Sequence, residues 1–345
     1  MRGTPSTPKS EEELDELLSA PRDETVAALE RVQGDWIVLG AGGKMGPSLS
    51  RMIARVCQAN GESGRVTAVS RFGSAGVEAS LRAAGVNTIS CDLLDARAVA
   101  ALPDAANVIF MAGQKFGTSD APSRTWMMNV VVPAICAERY AGARTVVFST
   151  GNVYPLVSVA SGGAKETDPT APIGEYAQSC VGRERVFEHF SESRGTQVAI
   201  VRLNYAIALR YGVLTDLALK VARHQAVSLA MGHVNVIWQG DANCAALELL
   251  AHTSAPPRVV NVTGTATLSV RDICNALGKR LGHDPVFEGV EAPDALISNT
   301  SVMQSLLGAP QTSLDTMLDW VADWVRNERP LLGKATKFEA RDGKF

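Results

Sequence analysis

The feature that most constrains this chain is a turn. Trp36-Ile37-Val38-Leu39 carries no charged residue and runs straight into Gly40-Ala41-Gly42-Gly43-Lys44-Met45-Gly46. Apolar residues then recur at helical spacing through residues 45–59. In a strand–turn–helix of this kind the first glycine allows the tight turn, the second lets backbone approach a diphosphate, and the third lets the helix pack on the strand. The helix N-terminus offers unpaired N–H groups and the positive end of its dipole to the same anion. An ordinary glycine-rich turn is the competing explanation; the strand before and the helix after favour a dinucleotide site. The expected cofactor contacts are Gly40, Gly43, Lys44, Met45 and Gly46.

The rest of the chain repeats the same grammar. Residues 66–70 (VTAVS), 87–90 (NTIS), 107–112 (NVIFMA), 145–150 (TVVFST) and 197–203 (QVAIVRL) are rich in β-branched residues and continuous rather than alternating. Such runs suit strands buried on both faces of a parallel sheet. Helical patterns lie between them, including residues 175–193, so the expected fold is α/β, a Rossmann-type doubly wound parallel sheet with a smaller C-terminal α/β substrate lobe. The layout expected is a helical extension over 1–34 and a nucleotide-binding domain over 35–205 with a return near 233–262. A substrate lobe over 206–330 and a polar tail over 331–345 complete it. The extension carries Leu14, Leu17 and Leu18, then Val26 and Leu29, with Pro21 between. It reads as two short helices packed on the main body, as a surface appendage or as an oligomer contact. Residues 1–10 are expected to be mobile.

Composition closes off other classes. Acidic and basic residues number 36 and 33, for a net charge of −3, so no basic footprint for nucleic acid or an anionic membrane exists. The six cysteines are scattered, without C-x-x-C or zinc spacing, as in a reducing compartment. No stretch approaches the roughly 18 apolar residues of a membrane span, and acids stand where a signal peptide needs an apolar core. A cytoplasmic protein with no metal is expected.

The second strand run ends Val69-Ser70-Arg71-Phe72. An acid there would bind a ribose 2′-hydroxyl and select NAD. Ser70 and Arg71 instead suit a 2′-phosphate, with Lys44 as a second cation, so NADP is the preferred cofactor and NAD the alternative.

Eight segments then occur in order: GAGGKMG (40–46), CDLLD (91–95), VIFMAG (108–113), MNVVVP (128–133), STGNVY (149–154), EYAQSC (175–180), RLNYA (202–206) and NVIWQGD (235–241). Over roughly residues 35–328 the chain resembles the extended short-chain dehydrogenase/reductases, specifically the NAD-dependent epimerase/dehydratase family. The resemblance implies that Asp92, with Leu93 beside it, approaches the adenine, and that Ala112 and Gly113 lie along the cofactor. It implies Tyr176 as the catalytic acid/base, Thr150 as the group orienting the substrate hydroxyl, and Asn129 as support for the proton path. One position departs from the pattern. Where the family has Tyr-x-x-x-Lys, this chain reads Tyr176-Ala-Gln-Ser-Cys180. That lysine holds the nicotinamide ribose and lowers the tyrosine pKa; a neutral thiol does neither. Cys180 is therefore filler in an inactive site, a tolerated change in a weakened redox site, or itself a reactive thiol. Lys115 and Arg183 are the nearby cations in sequence, and sequence does not place them.

Dehydratases of the family carry acids after the catalytic threonine; Gly151-Asn152 stand there instead, which disfavours dehydration. Oxidation, reduction or epimerisation of a hydroxyl or keto group remains. Lys115, Thr150, Asn152, Asn204, His233 and Trp238 are the expected substrate contacts, for a polyhydroxylated small molecule: a sugar, sugar acid or nucleotide sugar. Trp238 reads equally as core, and Arg202 as an ion-pair member. Glu184, Arg185 and Glu188 read as a solvated helix face. The resemblance implies a homodimer through the helices carrying Asn129 and Tyr176, where Val130, Val131, Ile135, Val181 and Phe187 are apolar. A non-catalytic NAD(P)-binding sensor or scaffold is the alternative function.

Overall fold

The computed structural model describes residues 6–73, 75–117, 120–334 and 336–344, and leaves the side chain of Ala75 aside. The expected mobility of residues 1–10 therefore lies partly outside the described residues. The six strand runs and a seventh strand near residue 260 pair in one parallel sheet. They are β1 (Trp36–Leu39), β2 (Val66–Ser70), β3 (Asn87–Ser90), β4 (Asn107–Phe110), β5 (Arg144–Thr150), β6 (Val198–Leu203) and β7 (Arg258–Val262). Their order across the sheet is β7-β6-β5-β4-β1-β2-β3, so the winding reverses between β1 and β4. In open α/β sheets ligands bind outside the strand C-termini at such a reversal.

The runs are continuous because helices cover both faces. Every residue of β1 and β4 is buried. Side-chain alternation sends Ile37 and Leu39 into one core with Phe110 and Phe187, and Val38 into another with Leu49, Met52 and Ile53. The exception is β3, whose residues are all exposed or half-buried because it forms an edge of the sheet. A third core gathers residues 207–238, 270–277, 295–297 and 317–325.

The N-terminal helices pack on the main body and are not a surface appendage. Helices α1 (Glu11–Leu18) and α2 (Asp23–Glu30) form as the pattern suggests, with Ser10 capping α1 by accepting from the Glu13 N–H. Yet Leu14 and Leu18 belong to the third core, at 0% and 1% exposure. Between the two helices, Arg22 forms a buried bidentate pair with Glu248, donating from Nε to Oε1 at 2.7 Å and from Nη2 to Oε2 at 2.5 Å; Thr25 also donates to Oε1. Two isolated helices of eight residues would be marginal in water; burial of their apolar stripe holds them. The C-terminal tail is likewise packed, with Phe338 buried and the Thr336 N–H and hydroxyl both donating to Asp216 Oδ2.

No helix among the described residues is long and apolar enough to cross a membrane. All six cysteines are unpaired and buried.

Candidate active site

The turn after β1 is built by close approach. Gly40 has φ +90°, and a Cβ there would lie 2.6 Å from the Ala112 nitrogen; a Cβ on Gly46 would lie 2.4 Å from the Ala41 carbonyl oxygen. Gly43 differs, since a Cβ there would meet only the Gly40 carbonyl at 3.5 Å. Its open side faces a cavity of about 370 Å³, whose wall includes Gly40, Gly43, Lys44, Met45 and Gly46. The following helix, α3 (Gly46–Ala59), starts at that wall. A cradle that a single Cβ would obstruct, beside a helix N-terminus, fits a dinucleotide diphosphate.

The opposite wall comes from the ends of β4, β5 and β6. Gly113 and Lys115 follow β4, Thr150 ends β5 with Asn152 just beyond, and Asn204 and Tyr205 follow β6. Tyr176 enters from the helix Gly174–Arg194. Thr150 and Tyr176 share that wall. Asn152 fixes the threonine: its N–H donates to Thr150 Oγ1 at 3.2 Å, and Thr150 Oγ1 donates to Asn152 Oδ1 at 3.0 Å. Burial pushes Tyr176 well above the ordinary tyrosine range, and proximity to the Cys180 sulfur pushes the same way; the Arg183 charge and the Thr150 hydroxyl oppose them. Burial also raises the Cys180 thiol, against the pull of Arg183.

Asn129 sits fully buried in the π-helical turn Met127–Val131. Its Oδ1 accepts from the Gln114 N–H and from Arg183 Nη2, both at 2.8 Å. Its Nδ2 donates to the Gln114 carbonyl and to Ser179 Oγ, both at 2.9 Å. The amide thus clamps the loop after β4 to the Tyr176 helix. Arg183 completes the clamp through Nη1 to the Phe148 carbonyl at 2.7 Å, and lies so close behind Gly113 that a Cβ there would be 2.3 Å from Nη2.

Two lysines share the cavity, and no carboxylate lines it among the described residues. Lys44 does not turn toward the end of β2. Its Nζ lies 3.1 Å from the centroid of the Tyr211 ring and 4.6 Å from that of Phe116. Burial lowers its pKa to about 7, helped by the charges of Lys115 and Lys334. Burial lowers Lys115 to about 8. At the end of β2, Ser70 packs against Gly42, and Arg71 is exposed, in no ion pair among the described residues. Asp92 is exposed, accepting the Leu94 N–H, and Leu93 is buried below it. Ala112 is buried against Gly40.

Several sequence expectations change here. Trp238 is absent from the cavity wall; it is buried with its ring centroid 5.1 Å from that of Trp320. His233 also lies away from the wall, with a buried Nδ1 lacking a hydrogen-bond partner in the structure. Asn204 does reach the cavity, although its Nδ2 is committed to the Leu296 carbonyl. Arg202 is an ion-pair member: Nη2 donates to Glu184 Oε2 at 2.7 Å, with both side chains at or below 5% exposure. Glu184 is therefore no part of a solvated face, although Arg185 and Glu188 do pair at the surface. Phe187 packs on Phe110 inside the sheet core, which removes it from the expected dimer face; Trp126, Met127 and Val131 are the exposed apolar residues there. Tyr211, Phe116 and Thr336 were not anticipated as lining residues, and no local motif marks them.

A family model for the NAD-dependent epimerase/dehydratase family matches residues 36–244. The chain belongs to that family. No curated protein matches it. Among solved structures it is similar to the UDP-glucose 4-epimerase of Thermotoga maritima, solved with UDP-glucose, at 20% identity and a TM-score of 0.70 over 85% of this chain and 99% of that one. It is similar to the dTDP-glucose 4,6-dehydratase of Streptomyces venezuelae, solved with NAD, at 20% identity and a TM-score of 0.71 over 85% and 97%. The UDP-glucuronic acid 4-epimerase of Bacillus cereus aligns at 16% identity with a TM-score of 0.70 over 85% and 99%. These likenesses establish the family's fold, a seven-stranded parallel sheet with flanking helices.

Proposed function

We propose that this chain is an NAD(P)-dependent oxidoreductase or epimerase acting on a hydroxyl or keto group of a sugar, sugar acid or nucleotide sugar. The carrying observation is that Thr150 and Tyr176 stand together on the wall of a cavity that also includes Gly43 and Gly46. When bound, the cofactor supplies a nicotinamide that accepts or gives hydride. Gly40, Gly43, Met45 and Gly46 hold its diphosphate, and Lys44 adds a charge on the cavity side. Asp92, Leu93, Ala112 and Gly113 border its adenosine and strand-end portions. Thr150, fixed by Asn152, orients the substrate oxygen, while Lys115 and Asn204 line the substrate space. Tyr176 moves the proton. Protonated, it donates to the oxygen of a ketone being reduced; ionised, it takes the proton of an alcohol being oxidised. Its burial favours the protonated form, the one that donates to a ketone oxygen.

The test is a panel of UDP- and dTDP-hexoses, free sugars, sugar acids and lactones, with either cofactor, read by nicotinamide absorbance and by stereochemical analysis of the product. Turnover of at least one member is expected. The thiol at 180 favours a second possibility, a cofactor-binding sensor or scaffold. Micromolar cofactor binding with no hydride transfer across the whole panel would select that alternative.

Cofactor preference has its own check. In this proposal Arg71 and Ser70 receive a 2′-phosphate without help from Lys44. Arg71→Ala is then expected to weaken NADP by about 10- to 100-fold, the loss of a charge-assisted contact, and NAD by less than about twofold. Equal loss for the two, measured by calorimetry, would remove the NADP assignment.

A further inference from the structure

Position 180 holds a buried thiol on the helix that carries Tyr176. A neutral thiol cannot attract a phenolate, and it is a poor partner for ribose hydroxyls. A cation stands nearby on a different element. Lys115 follows β4, lines the same cavity as Tyr176, and holds its Nζ 5.7 Å from the centroid of the Tyr176 ring. The same ammonium acts on the Cys180 sulfur, which places it beside the position the family gives to its lysine. We propose that Lys115 does the work of the lysine absent from the Tyr176 helix, reaching Tyr176 and the nicotinamide ribose from the loop after β4. This rests on Tyr176 being the acid–base group.

The charged and polar groups that face Tyr176 come from three elements. Cys180 and Arg183 lie on its own helix, Thr150 ends β5, and Lys115 follows β4. Lys44 faces the same cavity from the glycine turn. Arg183 is a permanent charge, but it is fixed by Phe148 and Asn129 behind Gly113 and is not on the cavity wall. It can bias the Tyr176 proton and cannot hold a ribose. Lys44 rests on Tyr211. Lys115 alone combines a flexible ammonium with a place on the wall beside Tyr176.

The sign follows from the titration of Lys115. Its pKa, lowered by burial to about 8, leaves it mostly charged at neutral pH. Its attraction for the cofactor is therefore present below about pH 8 and fades above, before Tyr176, held protonated by its burial, ionises. Lys115→Met should remove that pH dependence from cofactor binding.

The experiment is cofactor affinity by calorimetry between about pH 6 and pH 10. Lys115→Met is expected to weaken cofactor binding by about tenfold at neutral pH and to leave it flat across about pH 8, where the wild type loses affinity. Lys115→Arg keeps the charge and should hold the neutral-pH affinity through about pH 10. Adding Cys180→Lys to Lys115→Met returns a cation to the helix and should restore the neutral-pH affinity. A Lys115→Met protein whose affinity and its pH dependence stay those of the wild type overturns the proposal, as does failure of Cys180→Lys to compensate in a double variant with wild-type circular dichroism. Unchanged turnover in Tyr176→Phe would instead overturn the underlying acid–base role.

Discussion

Tyr176→Phe is expected to lower turnover by about 10²- to 10⁴-fold, the usual worth of a positioned general acid or base. Cofactor affinity should stay within about twofold. The substitution removes one oxygen, and leaves the ring and the Asn129 clamp on the helix intact. Thr150 keeps its own support, because Asn152 both donates to it and accepts from it. Substrate binding should therefore suffer less than the proton transfer itself, which appears as a fall in kcat larger than any rise in KM. The measurement is steady-state turnover of whichever panel member proves active. A kcat within threefold of wild type would mean that Tyr176 moves no proton in the rate-limiting step. The acid–base assignment would then fall.

The largest expected loss of stability is Glu184→Ala, about 3–5 kcal/mol, the cost of leaving a buried partner charge uncompensated. Glu184 is fully buried and accepts from Arg202 Nε at 3.1 Å and Nη2 at 2.7 Å, and from the Ser149 hydroxyl at 2.5 Å. Arg202 also donates to the Tyr154 hydroxyl at 2.7 Å, which donates in turn to Asn261 Oδ1 at 2.9 Å. The network thus joins β5, β6, β7 and the Tyr176 helix within a few residues of Thr150. Burial lowers the Arg202 pKa while Glu184 more than offsets it, holding the guanidinium firmly charged; it would stay ionised and buried after the substitution. Urea midpoints measure the loss. The double variant Glu184→Ala, Arg202→Met should recover part of it, since both charges then leave together. A loss below about 1 kcal/mol in the single variant would mean that solvent reaches the guanidinium.

Much of this architecture was legible along the chain because its signals are local. All six runs of β-branched residues became strands of the sheet, and the glycine spacing at 40, 43 and 46 marked the turn that the structure builds from close backbone approach. Backbone sterics and short-range periodicity act over a few residues, so neighbours in sequence carry the information. The burial of α1 was not legible, because an amphipathic pattern shows that a face is apolar and not what covers it. Glu184 was misread for a related reason. Its partner Arg202 lies on a strand eighteen positions later, and charge on a helix reads as solvated until a buried counter-ion appears.

The site divides along the same line. The identities of Thr150, Tyr176 and Cys180 were plain in the sequence, and so was the departure from Tyr-x-x-x-Lys. Which cation stands beside Tyr176 was not. Lys115 is 61 positions from it and meets it only because β4 and β5 are sheet neighbours whose C-terminal ends open on one cavity. Trp238 shows the converse, with an aromatic residue suited to a sugar withdrawn into the core by Trp320. Local sequence therefore named the candidate groups, whereas the packing of distant segments chose the charges around them. Those choices depend on burial and on contacts between remote parts of the chain, and they exist only once the sheet has closed its neighbours together.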